Sequence, residues 1–269
     1  MKLFKNDPNY LLKYCVYNTI FFFSLSFILI HFRNNLLDFS FTYKSIFLLF
    51  STFLLWGMPS SLLHNCAHHN IKPNWLNTFT GELLGAFMLY GFKGFRLGHL
   101  YHHKFPDNPL WDPHPPKGYN FLEFVMAPVK DTLLVVERAY YQNFGKNKKT
   151  ELSIKIQRGL FYLSGISRLL FWFSLFKLKF FILLYLPIYA GNIIVFAHIN
   201  FATHIENSEG KFEIINLNHN LYYKIVNALS FNGYFHKSHH LKPQLFNPRE
   251  AKINDKIPYI SFDPKKISL

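Results

Sequence analysis

Cysteine is almost missing from this chain. Its two, Cys15 and Cys66, form no CxxC pair and no spaced framework, which excludes a disulfide scaffold and a thiolate metal site as organising features. Acidic residues are also scarce, 15 Asp and Glu against 29 Lys and Arg, a formal surplus of 14. Such a surplus suits nucleic acid when it lies on a compact polar domain. Here the basic residues flank apolar runs, so we read attraction to anionic lipid headgroups and to an acidic soluble partner, and no nucleic acid. No HExxH is present, so a zinc hydrolase with a glutamate base lacks its motif. No small-residue cleavage site follows the first apolar run, which therefore reads as an uncleaved span rather than a signal peptide.

Apolar residues fill the space these absences leave. Half of the chain is hydrophobic and 19% is aromatic, with 32 Phe, a composition that points to a membrane protein. Spans are expected at about 15–32, 45–63, 159–176 and 181–202, each near the length that crosses a hydrocarbon core of roughly 30 Å. They pair as two hairpins, the second turning near Lys177 and Lys179. The run Thr80 to Phe92, with Gly81, Gly85 and Gly91 inside it, is too short for a span and suits a re-entrant or interfacial helix. Lys104 to Asn120, rich in Pro, Asp and Asn, reads as an ordered loop. Phe121 to Lys155 reads as an amphipathic segment on the membrane surface. Arg168 stands inside the third span, where a charge is costly unless it snorkels, pairs within the bundle or lies shallow.

The expected fold is therefore all-α and integral to the membrane, one domain over residues 1–269. It has two transmembrane hairpins, about four spans, and a helical cap made of residues 64–158 and 203–269. Lys and Arg concentrate in the N-terminal segment and the cap. Positive-inside bias then puts both termini and the cap on the cytoplasmic side.

Three histidine clusters carry the chemistry. They read His64-Asn-Cys-Ala-His68-His69, His99-Leu-Tyr-His102-His103 and His236-Lys-Ser-His239-His240. Residues three and four apart share a helix face, so each cluster can direct its rings at one spot. Imidazole suits iron, zinc, copper and nickel, and three convergent faces describe a metal site. One zinc uses fewer ligands than this. A non-catalytic metal carrier would place ionisable ligands at the midplane of spans, whereas these clusters sit at span ends.

With two hairpins, HxxxH after the second span, HxxHH before the third and HxxHH in the tail, the chain resembles the membrane fatty acid desaturase superfamily. That superfamily includes related hydroxylases and carotenoid ketolases and hydroxylases. The likeness covers roughly Phe47 to Arg249. It implies two iron ions held mainly by imidazole, which activate O2 to attack an unactivated C–H bond. The ligands it implies are His64, His68, His99, His102, His103, His236, His239 and His240. The segment Asn200-Phe-Ala-Thr-His204 resembles a further ligand position, with His204 as the ninth histidine and Asn200 holding a metal-bound water. By spacing alone His204 stands little above an ordinary interfacial histidine.

Alkyl C–H cleavage needs an oxidant stronger than any side chain, so a redox metal has to supply it. Ligand rings need acceptors on their outer nitrogens. Glu82, Asp107, Asp112, Glu206 and Glu209 are near enough in sequence to serve, with Asp112 and Glu206 the foremost candidates. The family often has an acid directly after the first histidine of the first box, where this chain has Asn65. His69 reads as a neighbour of the ligand His68, not as a ligand. His31, His114, His198 and His219 match no ligand position. Tyr101, Trp111 and the Phe-rich spans could line a lipid tunnel, although aromatic richness is the ordinary packing of spans. The implied substrate is a lipid, with a fatty acyl chain, as a thioester or a lipid ester, preferred over a carotenoid ring. Desaturation and hydroxylation share their first hydrogen abstraction, so the motifs do not separate them. No His-Pro-Gly-Gly segment of a fused cytochrome b5 domain is present, so electrons are expected from a separate donor such as ferredoxin, or cytochrome b5 with its reductase.

Overall fold

The computed structural model describes residues 7–115, 118–208, 210 and 212–251. The chain is mostly helical. Three of its helices are long and apolar enough to cross a membrane, Tyr10–Phe32, Tyr43–Ala67 and Lys148–Thr203.

Helix α1 (Tyr10–Phe32) buries Cys15, Thr19, Phe22 and Ser26, one stripe at helical spacing, and packs along α7 (Lys148–Phe180). From α7 the buried residues include Ser164, Ser167 and Ser174. The outward face of α1 is large and apolar, with Tyr17 70% and Phe27 73% exposed. Small residues inside and large apolar ones outside invert a water-soluble helix. They suit lipid, where close backbone approach drives helix association. The buried serines stay satisfied by bonding back to their own helix, as Ser26 Oγ does to the Phe22 carbonyl at 2.7 Å.

The expected hairpin turn lies at Lys177, the one residue of α7 with non-helical torsions (φ 57°, ψ 171°). Trp172 and Tyr185, thirteen residues apart, would be about 20 Å apart on a straight helix. Instead their rings stack at 6.0 Å. They also bond neighbouring carbonyls, Trp172 Nε1 to Ala86 at 3.1 Å and Tyr185 Oη to Phe87 at 2.9 Å. The chain therefore folds back and returns through a π-turn (Phe181–Tyr185) into α8 (Leu186–Thr203). The loop after α1 closes on this turn: Leu178 N donates to Leu36 O at 2.9 Å, and Lys177 Nζ to Asn34 O at 3.0 Å.

The second apolar run holds its place within Tyr43–Ala67, built in three pieces, α2 (Tyr43–Thr52), a 3-10 turn and α3 (Met58–Ala67). The break falls at Gly57, whose φ is +88° and where a Cβ would stand 3.1 Å from Val195 and 3.2 Å from Ser230. The buried amide of Asn192 on α8 repairs it, accepting from both Ser60 N and Ser60 Oγ at 3.0 Å. It thereby fixes the start of α3 and the direction of its histidines. The Thr80 to Phe92 run, too, is divided between α4 (Asn74–Phe87) and the start of α5 (Phe92–Lys104). Its glycines serve packing: a Cβ at Gly81 would meet the Phe92 ring at 2.7 Å, and one at Gly85 would meet its backbone.

Two capping boxes start the next helices. Asn120 and Glu123 open α6 (Phe121–Phe144), and Asn147 and Thr150 open α7. An unexpected antiparallel strand pair, β1 (His204–Glu206) and β2 (Phe212–Ile214), follows α8. Helices α9 (Leu221–Leu229) and α10 (His236–Leu241) complete the described fold.

Candidate metal centre

Nine histidines converge between α3, α5, α10 and the end of α8, and they form two groups. His64, His68, His99, His103 and His239 make the first; His102, His204, His236 and His240 make the second. Within each group the ligand atoms lie within 4.8 Å of one another. The HxxHH clusters do not each point at one spot, as the sequence suggested. At 100° per residue the i and i+4 positions stay 40° apart, while i+3 departs by about 60° from the first of them. On α5, His99 and His103 enter the first group and His102 the second. On α10 the roles are exchanged, with His236 and His240 in the second group and His239 in the first.

The first group cannot be explained as a hydrogen-bonded cluster. His99 Nε2 lies 2.7 Å from His68 Nε2 and 3.0 Å from His103 Nε2, which in turn is 2.8 Å from His239 Nε2. A neutral ring nitrogen is either a donor with one proton or an acceptor, so hydrogen bonds satisfy at most two of these three contacts. A metal with bonds of about 2.1 Å holds neighbouring ligand nitrogens about 3 Å apart and satisfies them all. In the second group, His236 and His240 have Nε2 atoms 3.1 Å apart. His102 Nε2 and His204 Nε2 are buried with no partner. Orphaned nitrogens of this kind are what metal ligation would complete.

The outer nitrogens are held by carboxylates. His102 Nδ1 lies 3.0 and 2.9 Å from the two oxygens of Asp112. His204 Nδ1 lies 2.9 and 3.0 Å from those of Asp107, 97 residues away. Asp112 also accepts backbone N–H groups from Asp107 and His114, each at 2.7 Å. One buried carboxylate therefore orients His102 directly and shapes the loop that carries Asp107.

Charge states suit ligation. Burial pushes His99, His103, His236, His239 and His240 well below the ordinary imidazole range. Burial, with Arg96 adding to it, takes His68 down to about 4. Neutral rings are the form a metal takes. Burial opposes charging of His102 too, but the Asp112 carboxylate outweighs it and raises the pKa. For the other rings the folded pKa lies below the unfolded value of 6.5. The contribution of these six rings to stability is present above that value and is lost as pH falls below it toward each folded pKa, about 4 for His68 and well below the ordinary range for the rest. The metal-free protein should therefore melt at progressively lower temperature on acidification through this window, a trend that thermal unfolding at stepped pH reads directly.

The remaining sequence candidates fall as follows. Asn200 is buried, donates to Phe196 O at 2.9 Å, and shares a cavity wall with His64, His99, His236 and His239. Glu206 is exposed on β1, and the Nδ1 of its strand neighbour His204 faces Asp107 instead. Glu82 accepts from Tyr14 Oη at 2.6 Å, and Glu209 lies outside the described residues. His69 is exposed with φ 60° and belongs to neither group. Tyr101 and Trp111 pack with Phe105 and Val135, not on the walls of the apolar cavity beside the site. That cavity is walled by Met88, Phe95, Phe161 and Phe196 and reaches Asn200 and His114. His114, set aside by motif, thus stands on this wall with its ring 6.0 Å from His102. The signal for it lay in Asp112-Pro-His114 directly after the second cluster. The His219 ring lies 5.0 Å from that of Tyr223, tilted at 57°, and belongs to neither histidine group, and His219→Ala should leave metal content and activity near wild type.

The sequence matches the fatty acid desaturase family over residues 41–256. The chain belongs to that family. Membership implies a metal-dependent oxidoreductase, and with the long apolar helices it makes this a membrane protein. The matched stretch contains both histidine groups, Asp107 and Asp112. No curated protein and no solved structure matches the chain significantly.

Proposed function

We propose that this desaturase-family protein removes hydrogen from unactivated carbons of a fatty acyl chain, using O2 and two external electrons, and leaves a double bond. The observation that carries the reading is an apolar cavity that ends beside the histidine groups, at His114, whose ring is 6.0 Å from His102, and at Asn200, which shares a second cavity wall with His64, His99, His236 and His239. Two irons, held by the five and the four histidines, would supply the oxidant that no side chain provides. The chain's own part is positional. Asp112 and Asp107 fix the rings of His102 and His204, while Phe95 and Phe196 wall a dry slot for methylenes. Asn200 stands where its amide can hold a water beside the first group.

The packing of the two turns against each other supports four crossings with both turns on one face. The histidines and both termini would then lie on the other, cytoplasmic face. Exposed Lys104 ends α5, and exposed Lys72 and Lys242 follow closely on α3 and α10, the helices that carry the histidine boxes. We assign this face to an acidic electron carrier such as a ferredoxin or cytochrome b5. Its reduction rate should fall steeply with added salt; a salt-independent rate would remove the assignment.

The deciding experiment is lipid and pigment profiling of a host that expresses the chain, with His239→Ala as control. New acyl double bonds that vanish in the variant are the expected result. New acyl hydroxyls would reassign the outcome to hydroxylation. Unchanged acyl chains with oxidised carotenoids would transfer the site to a ring substrate.

A further inference from the structure

A second cavity adjoins the first. It is bordered by Tyr14, by Arg168 and by Arg158, whose charge is taken by Glu137 on the same wall, and it shares Tyr90, Gly94, Thr132 and Phe161 with the cavity that reaches His114 and Asn200. Gly94 lies inside α5, where glycine costs about 1 kcal/mol relative to alanine. Packing does not require it. A Cβ there would touch only Phe161, at 3.8 Å, in contrast to the crowded Gly81 and Gly85. What glycine leaves at this position is open space between the two cavities.

Arg168 stands at the far end. It is 1% exposed, and its bonds go to neutral acceptors: Leu89 O at 3.0 Å, Ser164 Oγ at 3.2 Å and Asn18 Oδ1 at 2.9 Å. Its Nε is buried without a partner, and among the described residues no carboxylate forms an ion pair with it. The nearest acid, Glu82, is taken up by Tyr14 Oη at 2.6 Å and acts on Arg168 only from beyond ion-pair distance, so a ligand carboxylate or phosphate would give this buried guanidinium its first direct anionic partner.

We propose that the two cavities form one substrate path with its narrow point at Gly94. A single-chain lipid lies along α5, its anionic terminus beside Arg168 and its reacting methylenes beside the histidine groups. This inference rests on the acyl-oxidation reading and adds to it the kind of lipid taken. Arg168 marks the start of α5, since a Cβ at Gly91 would lie 2.6 Å from its Nη2. From Gly91 to His102 the helix rises about 16 Å, which sets the oxidised carbons on the order of ten positions from the anion. A waist opened by one missing side chain admits one hydrocarbon chain and not two.

The test is binding to the purified full-length protein without reductant, so that no turnover occurs, by displacement of a fluorescent fatty acid. Oleate should bind about tenfold or more tightly than methyl oleate, the scale of one charge-assisted hydrogen bond. Arg168→Gln should erase that preference. Lysophosphatidate, arriving with a phosphate, separates the sources of anion: weaker binding than oleate assigns the site to a carboxylate, and equal or tighter binding assigns it to a lipid phosphate. Gly94→Phe should weaken every chain about tenfold or more by closing the waist, with metal content unchanged, and Gly94→Ala should do little. Equal binding of oleate and methyl oleate, or unaltered binding in Gly94→Phe, would overturn the path. These two comparisons stand even if Arg168→Gln fails to fold. Metal analysis is a separate readout. A protein that binds lipid in this way but takes up no iron would refute the proposed reaction and leave the path intact.

Discussion

His102→Ala should abolish lipid oxidation and strip metal from the second histidine group, while the protein still inserts into the membrane. The ring is buried, its Nδ1 is fixed by Asp112, and its Nε2 has no partner among the protein atoms. Removing it leaves three imidazoles in that group and takes one donor from the buried Asp112 carboxylate, a loss of about 1–3 kcal/mol. Outer partners of metal ligands already govern about 10–100-fold in affinity, so the loss of a ligand itself should exceed that. His239→Ala should do the same to the first group. Because α5 and α10 each send rings to both groups, the two variants should spare opposite metals and each retain about half of the wild-type content. Elemental analysis of membrane-extracted protein, alongside acyl profiling, reads both effects. Full activity in either variant would end the two-metal reading.

The histidines were legible because their positions obey short-range rules. The boxes are local, and spans around them are long apolar runs. What spacing could not supply was the partition of each box between two centres. That depends on how α5 and α10 face each other, and a sequence read one helix at a time does not contain it. Asp107 shows the same limit. It could be named only as one acid among several, because its partner His204 lies 97 residues away and meets it only once α8 has returned. Gly57 and Asn192 are a third case: Gly57 and Pro59 mark the break in the second span locally, but its geometry follows from contacts with α8 and Ser230 that the run 45–63 does not contain. Arg168, by contrast, announced itself as an anomaly, and the fold meets it only in part, with hydrogen bonds to neutral acceptors inside the bundle and no ion pair among the described residues.

Asp112→Asn should cost more than Asp107→Asn, although each acid faces one histidine. In Asp107→Asn only His204 loses its anionic acceptor, and a decrease of about 10–100-fold in metal affinity or turnover is expected. Asp112 carries a wider set of bonds. Besides His102, its two oxygens accept from the backbone N–H groups of Asp107 and His114, each at 2.7 Å. An amide nitrogen in place of either oxygen would set a donor against one of those donors. The loop must then shift, and Asp107 moves with it, so His204 is disturbed as well as His102. The expected loss is about 100-fold or more. The double variant should be little worse than Asp112→Asn alone, because the two acids act through one loop and their effects are not additive. Metal titrations on the two single variants and the double variant test this. A loss in Asp112→Asn no greater than in Asp107→Asn, or simple additivity of the two, would mean that the loop does not couple the two rings.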